Sequence, residues 1–218
     1  MTNAAALRED GMVEGLVHVV DDDEAVRDSL RWLLEANGFR ARVHDSAEAF
    51  LASDPHREPF ACLILDVRMP GMSGLELHEE ILRRGLAMPL LFITGHGDVP
   101  MAVASMKRGA VDFLEKPFND AHLCAAVRRC LARSAAVQRD GEAARQSRER
   151  VERLTQRESQ VLELIVAGRL NKQIADDLGI SIKTVEAHRA NIMDKLEART
   201  MAELMKTALQ AAEAAAGR

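Results

Sequence analysis

A chain of 218 residues, 47% of them hydrophobic, has room for two small cores, and its net charge of −5 is not evenly spread. Residues 1–150 carry 19 Lys+Arg against 24 Asp+Glu, residues 151–218 carry 10 of each, and no Phe, Tyr or Trp follows Phe118. No apolar run approaches the roughly 20 residues that span a bilayer, the N-terminal MTNAAALREDGMVEG has acids where a secretory signal has an apolar core, and Cys62, Cys124 and Cys130 form no C-x-x-C pair, so the expectation is a cytoplasmic protein without membrane contact or structural zinc.

From residue 16 to 116 five short apolar runs recur: LVHVVD, FRARV, FACLILD, PLLFIT and VDFLEK. Each gap has room for one helix, and segments such as VRDSLRWLLEAN and LELHEEILRR have helical spacing. Strand and helix alternating five times predict an α/β domain, a five-stranded parallel sheet with helices on both faces. Asn37-Gly38, Arg84-Gly85 and Arg108-Gly109 are stop signals for the helices. Residues 132–152, charged and Ala-rich, lack the apolar side chains for a core and predict a linker, a helical extension interrupted near Gly141, with a partner-helix reading as the alternative. Four helices are expected beyond it, over 155–167, 171–178, 182–197 and 201–214. Thr155 with Glu158 has capping-box spacing, Asn171 and Ser181 stand at N-cap positions, and Gly168 and Gly179 stand at helix ends.

Loops and helix N-termini converge at the carboxyl ends of parallel strands, which makes that edge the place to look for chemistry. Four of the five runs end there in a reactive side chain: Asp21 and Asp22, Asp66, Thr94 and Lys116. Any one of these fits an ordinary cap or a solvated strand end. Together, carboxylates, a hydroxyl and an amine suit phosphoryl chemistry, in which Mg²⁺ takes one or two carboxylates plus waters and an ammonium neutralises a phosphoryl oxygen. A carboxylate can itself be the nucleophile, and Asp66, ending the most apolar strand, is the best placed.

The set DD at 21–22, LDVRMPGMSG at 65–74, ITGHGDVPMAV at 93–103 and DFLEKPF at 112–118 resembles the receiver domain of two-component response regulators, over about residues 15–133, and ITGHGDVPMAV is similar to the FixJ subgroup. The resemblance implies phosphorylation of Asp66 by a sensor histidine kinase. It also implies Mg²⁺ held by Asp21, Asp22, Asp66 and the backbone carbonyl of Arg68, and Lys116 on the phosphoryl group, followed by a cis bond to Pro117. Thr94 and Phe113 would form the switch, the ring at 113 filling space that the drawn-in hydroxyl vacates; a plain inward-facing Phe113 is the alternative. Arg68 and His96 flank the site and by resemblance tune dephosphorylation.

Residues 154–204 have the pattern of a helix-turn-helix: NKQIADDLG, a turn at Gly179, then a second helix capped by Ser181. TVEAHRANIMDKL resembles the LuxR-type module, which places the helix 182–197 in the major groove of double-stranded promoter DNA. Lys172, Lys183, Arg189, Lys195 and Arg199 would face phosphates with Thr184, His188 and Asn191 as neutral donors, while Glu186, Ala187 and Ala190 match base-facing positions. Each taken singly also fits a solvated helix residue, and a charge-balanced domain is not an obvious DNA binder.

The chain is therefore expected to comprise a tail (1–15), a receiver (16–133), a helical linker (134–152) and an all-α four-helix DNA-binding domain (153–218). Phosphorylation would drive homodimerisation through 98–108 and 119–131, and contact with RNA polymerase is possible in such a regulator. Two rival readings remain at this stage. One is a phosphohydrolase with Asp66 as nucleophile, against which Arg68 stands where such enzymes commonly place a second acid. The other is a module whose C-terminal helices bind protein.

Overall fold

The structure, a computed structural model, describes residues 15–55, 60–95 and 106–216. Residues 1–14 of the expected tail, His96, and residues 98–105 of the anticipated dimer surface lie outside the described residues. The chain divides into two compact units, Met1–Gln138 and Arg139–Arg218.

In the first unit, β1 (Leu16–Val20), β2 (Arg40–His44), β3 (Ala61–Asp66), β4 (Leu90–Thr94) and β5 (Asp112–Glu115) form one sheet in the order β2-β1-β3-β4-β5. All four pairings are parallel, as the alternation of strand and helix predicts. Side chains on the central strands alternate between two cores. Val17, Val19, Cys62, Ile64, Leu91 and Ile93 pack on one face with Leu30 and Leu34 of α1 (Glu24–Ala36). Leu63, Leu65 and Phe92 pack on the other with Phe50 of α2 (Ala47–Ala52) and with Leu77 and Ile81 of α3 (Gly74–Arg83). Burial on both faces explains why these strands read as near-continuous apolar runs.

Local signals set the helix starts. Asp23 caps α1, its carboxylate accepting from the N–H groups of Ala25 and Val26. The helix stops at Asn37, and Gly38 takes φ 80° to turn the chain into β2. Ser73 and Glu76 form a reciprocal capping box on α3. Gly74, the first residue of that helix, must be glycine: a Cβ there would lie 2.0 Å from the carbonyl oxygen of Asp66. The N-terminus of α3 thus abuts the end of β3. Asp23→Ala should cost about 1 kcal/mol of stability, the usual value of an N-cap, read by urea denaturation.

One polar pair interrupts the second core. His18 in β1 and His44 in β2 stack at 5.2 Å between centroids, both set edge-on to Phe50, with His18 Nδ1 and His44 Nε2 2.9 Å apart. Burial, then the charges of His44 and Arg42, bring His18 down to about 3; burial, then Arg42, brings His44 down to about 4. Both are neutral when folded and titrate near 6.5 when unfolded, so the unfolded state takes up more protons below that pH and stability falls with it. Between about pH 6.5 and 5 the pair should withdraw about 3 kcal/mol from the receiver. Urea titrations at the two pH values measure this, and most of the fall should vanish when both histidines are changed to Leu.

The long helix departs from expectation. α4 (Asp120–Val151) is continuous through Gly141, with no interruption. A solvent-exposed helical glycine costs only about 1 kcal/mol against Ala, too little to break a helix built of Ala, Arg and Glu. Arg145–Glu149 and Arg148–Glu152 pairs at i,i+4 support it further. Nor does the supposed linker lack packing. Ser134 is buried and accepts from the Ala61 N–H in the first unit, while Ser147 is buried in the second and donates to Gln210.

The second unit contains α5 (Gln156–Val166), α6 (Asn171–Leu178), α7 (Ile182–Lys195) and α8 (Met201–Ala216). Val161, Leu162, Ile165, Ile174, Val185, Ile192, Leu196 and Leu204 make a wholly aliphatic core. Thr155 and Glu158 cap α5 reciprocally, Ser181 caps α7, and Gly179 ends α6 at φ 64°. Asn171 is not the cap of α6 but its first residue. Leu170 precedes it, its N–H satisfied by Gln173 Oε1 at 2.9 Å, while no side chain caps the first-turn N–H groups that an asparagine cap would have served. α7 ends at Lys195, two residues early, because Glu197 takes φ 54°.

Candidate functional site

The register of the parallel sheet brings the ends of β1, β3, β4 and β5 to one edge. Asp21, Asp66 and Thr94 are buried there at 1%, 6% and 2% exposure. Lys116 follows β5, its N–H bonded to the Thr94 carbonyl at 2.7 Å and its bond to Pro117 cis. The Lys116 Nζ donates to Asp21 Oδ2 at 2.7 Å and to Asp66 Oδ1 at 2.9 Å. One ammonium therefore joins two carboxylates that come from residues 45 apart. The remaining oxygens are also engaged: Asp66 Oδ2 accepts from the Arg68 N–H at 2.7 Å, and Asp21 Oδ1 from the Asp23 N–H at 3.0 Å. Asp22 and the Arg68 side chain face solvent, and Phe113 is half-buried against the core shared with α2 and α3.

Burial raises the Asp21 carboxyl above its ordinary range despite the hydrogen bond from Lys116. Burial opposes the charge on Lys116 too, but its bonds to Asp21 and Asp66 raise it on balance. The ammonium does not fully compensate the acids. Two buried carboxylates, Asp21 and Asp66, face one lysine, and the exposed Asp22 next to Asp21 in the chain adds to an acidic surplus of the kind a divalent cation neutralises. Among the described residues no three His, Cys, Asp or Glu side chains are already gathered as a metal cage. The donor set instead suits an ion that keeps several waters and takes only one or two carboxylates.

Sequence reasoning missed Arg27. From the second turn of α1 its guanidinium donates to the Asp21 carbonyl at 2.8 Å, fixing the turn that carries the acids. Nothing in the local pattern marks it, since an arginine six residues beyond an aspartate is ordinary helix surface.

On the second unit the residues expected to meet DNA gather on the outer side of α7. Lys183, Thr184, Glu186, Ala187, Ala190 and Asn191 are exposed, His188 and Arg189 half-exposed, and Val185 and Ile192 are the buried anchors beneath. Lys172 is exposed near the start of α6. Thr184 shares its hydroxyl with Ser181 at 2.8 Å. Lys195 does different work: its Nζ donates to Glu158 Oε2 at 2.7 Å, tying the end of α7 to the start of α5. Lys195 and the Thr155 N–H hold the buried Glu158 carboxyl down at about 2. The capping box was legible in sequence; its lysine partner, 37 residues away, was not.

Two family descriptions match the chain: response regulator receiver domain over residues 17–128, and bacterial regulatory proteins, luxR family, over 152–208. The transcriptional regulatory protein FixJ of Azorhizobium caulinodans is 52% identical over 92% of this chain and 94% of its own length. FixJ of Rhizobium meliloti is 48% identical over 91% and 97%. The solved structure of the response regulator StyR aligns with TM-score 0.75 at 45% identity, covering 90% of this chain and 98% of that one. Full-length FixJ from B. japonicum aligns at 0.55 and 43% identity, covering 92% and 98%.

Proposed function

The chain belongs to the FixJ-like response regulators of two-component systems, transcriptional regulators that join a receiver to a LuxR-type DNA-binding domain, and on that premise we propose that its switch is operated by phosphorylation of Asp66. The observation that carries this reading is Lys116 bridging the buried Asp21 and Asp66 at 2.7 and 2.9 Å. Such a bridge pre-organises a phosphoryl site: the ammonium already sits where a transferred oxygen would need a positive charge.

In the proposed reaction a carboxylate oxygen of Asp66 attacks the phosphorus of a phosphohistidine on the sensor kinase. The O–P bond forms, the N–P bond breaks, and the imidazole leaves with the electron pair. Asp21, Asp22, Asp66 and the Arg68 carbonyl would hold Mg²⁺, which when bound neutralises charge on the transferring group. The chain's own groups do the rest. Lys116 shifts from the free carboxylate to a phosphoryl oxygen, and the Arg68 N–H keeps Asp66 oriented. Thr94, one strand away, swings its hydroxyl to the phosphoryl group, and the Phe113 ring takes the space released. Arg68, beside Asp66, and by resemblance His96 would set the lifetime of the acyl phosphate; a small phosphodonor would serve for self-phosphorylation.

The output is dimerisation through 98–108 and 119–131, which brings two copies of α7 to neighbouring half-sites of promoter DNA. Lys172, Lys183 and Arg189 contact phosphates, and Glu186, Ala187 and Ala190 read base edges; occupancy then regulates transcription in the cytoplasm, with RNA polymerase as a further contact. Lys195 serves the domain's integrity rather than DNA.

The test is phosphorylation by a small phosphodonor across a Mg²⁺ titration. Asp22→Ala should abolish the metal-dependent reaction while Asp23→Ala, with its intact acid pair, retains it. Equal reaction in the two variants, or turnover that continues catalytically on a simple phosphate ester, would overturn the reading.

A further inference from the structure

At the sheet edge opposite the acidic crevice, α3, the approach to β4 and α4 line a half-open pocket of about 340 Å³. Nothing in the phosphoryl switch uses it. Its walls are apolar, formed by Leu82, Leu86, Leu90 and Val137, and Leu82 and Val137 remain 53% and 39% exposed. Three nitrogen-bearing side chains line the same space: His78, Arg108 and Arg133.

His78 is anomalous. It is 3% exposed, set edge-on to Phe92, and its buried Nδ1 has no hydrogen-bond partner. Burial, then Arg108, holds the imidazole below its usual range, so it is neutral at pH 7, with a donor and an acceptor. A buried ring nitrogen without a partner is costly and calls for an explanation. Of the two guanidiniums, Arg108 is paired with Glu79, whereas Arg133 has no carboxylate partner among the described residues. A half-open apolar pocket with an uncompensated cation at its exposed rim and a neutral imidazole in its wall is complementary to an amphipathic anion. Its volume lies at the small end for ligand sites, enough for a single ring or a short chain.

We infer that this cavity binds a small organic carboxylate, its anionic head on Arg133 beside Arg108, its apolar body against Leu82, Leu86, Leu90 and Val137, with His78 as polar partner. The site lies wholly within the first unit and does not depend on the phosphorylation of Asp66.

The test is an NMR titration of the full-length, isotopically labelled chain with sodium benzoate, with benzyl alcohol as the uncharged analogue and inorganic phosphate as the anion without a ring. Benzoate should cause saturable shifts in residues 78–90, 108–110 and 133–137, with a dissociation constant of about 1 mM or below. Benzyl alcohol and phosphate should each bind about tenfold more weakly. Arg133→Gln should weaken benzoate by about tenfold, and His78→Phe, which preserves the packing on Phe92, should weaken it as well. Three results would each overturn the site: no saturable shift up to about 20 mM benzoate, phosphate binding as well as benzoate, or undiminished binding by Arg133→Gln. Should His78→Phe fail to fold, the exposed Arg133 substitution alone decides.

Discussion

Asp66→Asn should leave a folded regulator that accepts no phosphoryl group and ignores its kinase. The substitution keeps the shape of the side chain and an oxygen to accept from the Arg68 N–H, a bond of 2.7 Å in the native chain. What it removes is the nucleophile, and an amide cannot form the acyl phosphate. Lys116 keeps its bond to Asp21, so the crevice retains one complete ion pair. The variant also relieves the repulsion between two carboxylates buried at 1% and 6% exposure. Thermal unfolding should therefore stay within about 3 °C of the native midpoint or rise. A phosphate-affinity gel should show no slowed species under conditions that convert the native protein, and promoter output should stay at its unstimulated level. A slowed band in the variant, or normal induction, would show that the phosphoryl group goes elsewhere.

The second large effect is expected on DNA. Lys183 lies exposed in the first turn of α7 and Arg189 half-exposed in its middle, in a segment, residues 151–218, whose 10 basic and 10 acidic residues give no general attraction to a polyanion. Local placement has to supply the affinity, so reversing two local charges removes much of it. Lys183→Glu with Arg189→Glu should weaken promoter binding by roughly a hundredfold to a thousandfold and reduce the slope of log K against log salt by about 2. Lys195→Gln offers the contrast. Its ammonium is held by Glu158, so the loss should lower the stability of the unit by about 1–3 kcal/mol and leave the salt slope unchanged. Fluorescence anisotropy across a salt series, with urea denaturation of the same proteins, separates the two. A double variant that bound DNA with native slope would favour a C-terminal domain that recognises protein.

Much of this was legible along the chain because the relevant signals are local or periodic. Apolar runs at regular spacing predict a parallel sheet, and strand-end positions mark Asp21, Asp66, Thr94 and Lys116 without reference to one another. The acidic run at 21–24 divides in the same way: Asp23 caps α1 and Asp21 belongs to the crevice. Where local reasoning failed, the competing term was small or distant. Gly141 looked like a break because glycine is a weak helix former, but the loss at one exposed position is less than the flanking residues supply. Asn171 looked like a cap but is the first helical residue, and Gln173 instead satisfies the N–H of Leu170 before it.

The sequence by itself determined the parallel α/β unit, the helical unit after it, and the residue types able to perform phosphoryl chemistry, because propensity, capping and hydrophobic period act over a few residues. Tertiary structure alone decided that Lys116 bridges Asp21 and Asp66, that Arg27 secures the Asp21 turn, that Lys195 is bound to Glu158, and that His78 lies unsatisfied beside a cavity. Those are pairings between distant side chains, fixed by strand register and helix packing. A linear pattern carries the identity of such groups but not the few ångströms on which their charge, solvation and chemistry depend.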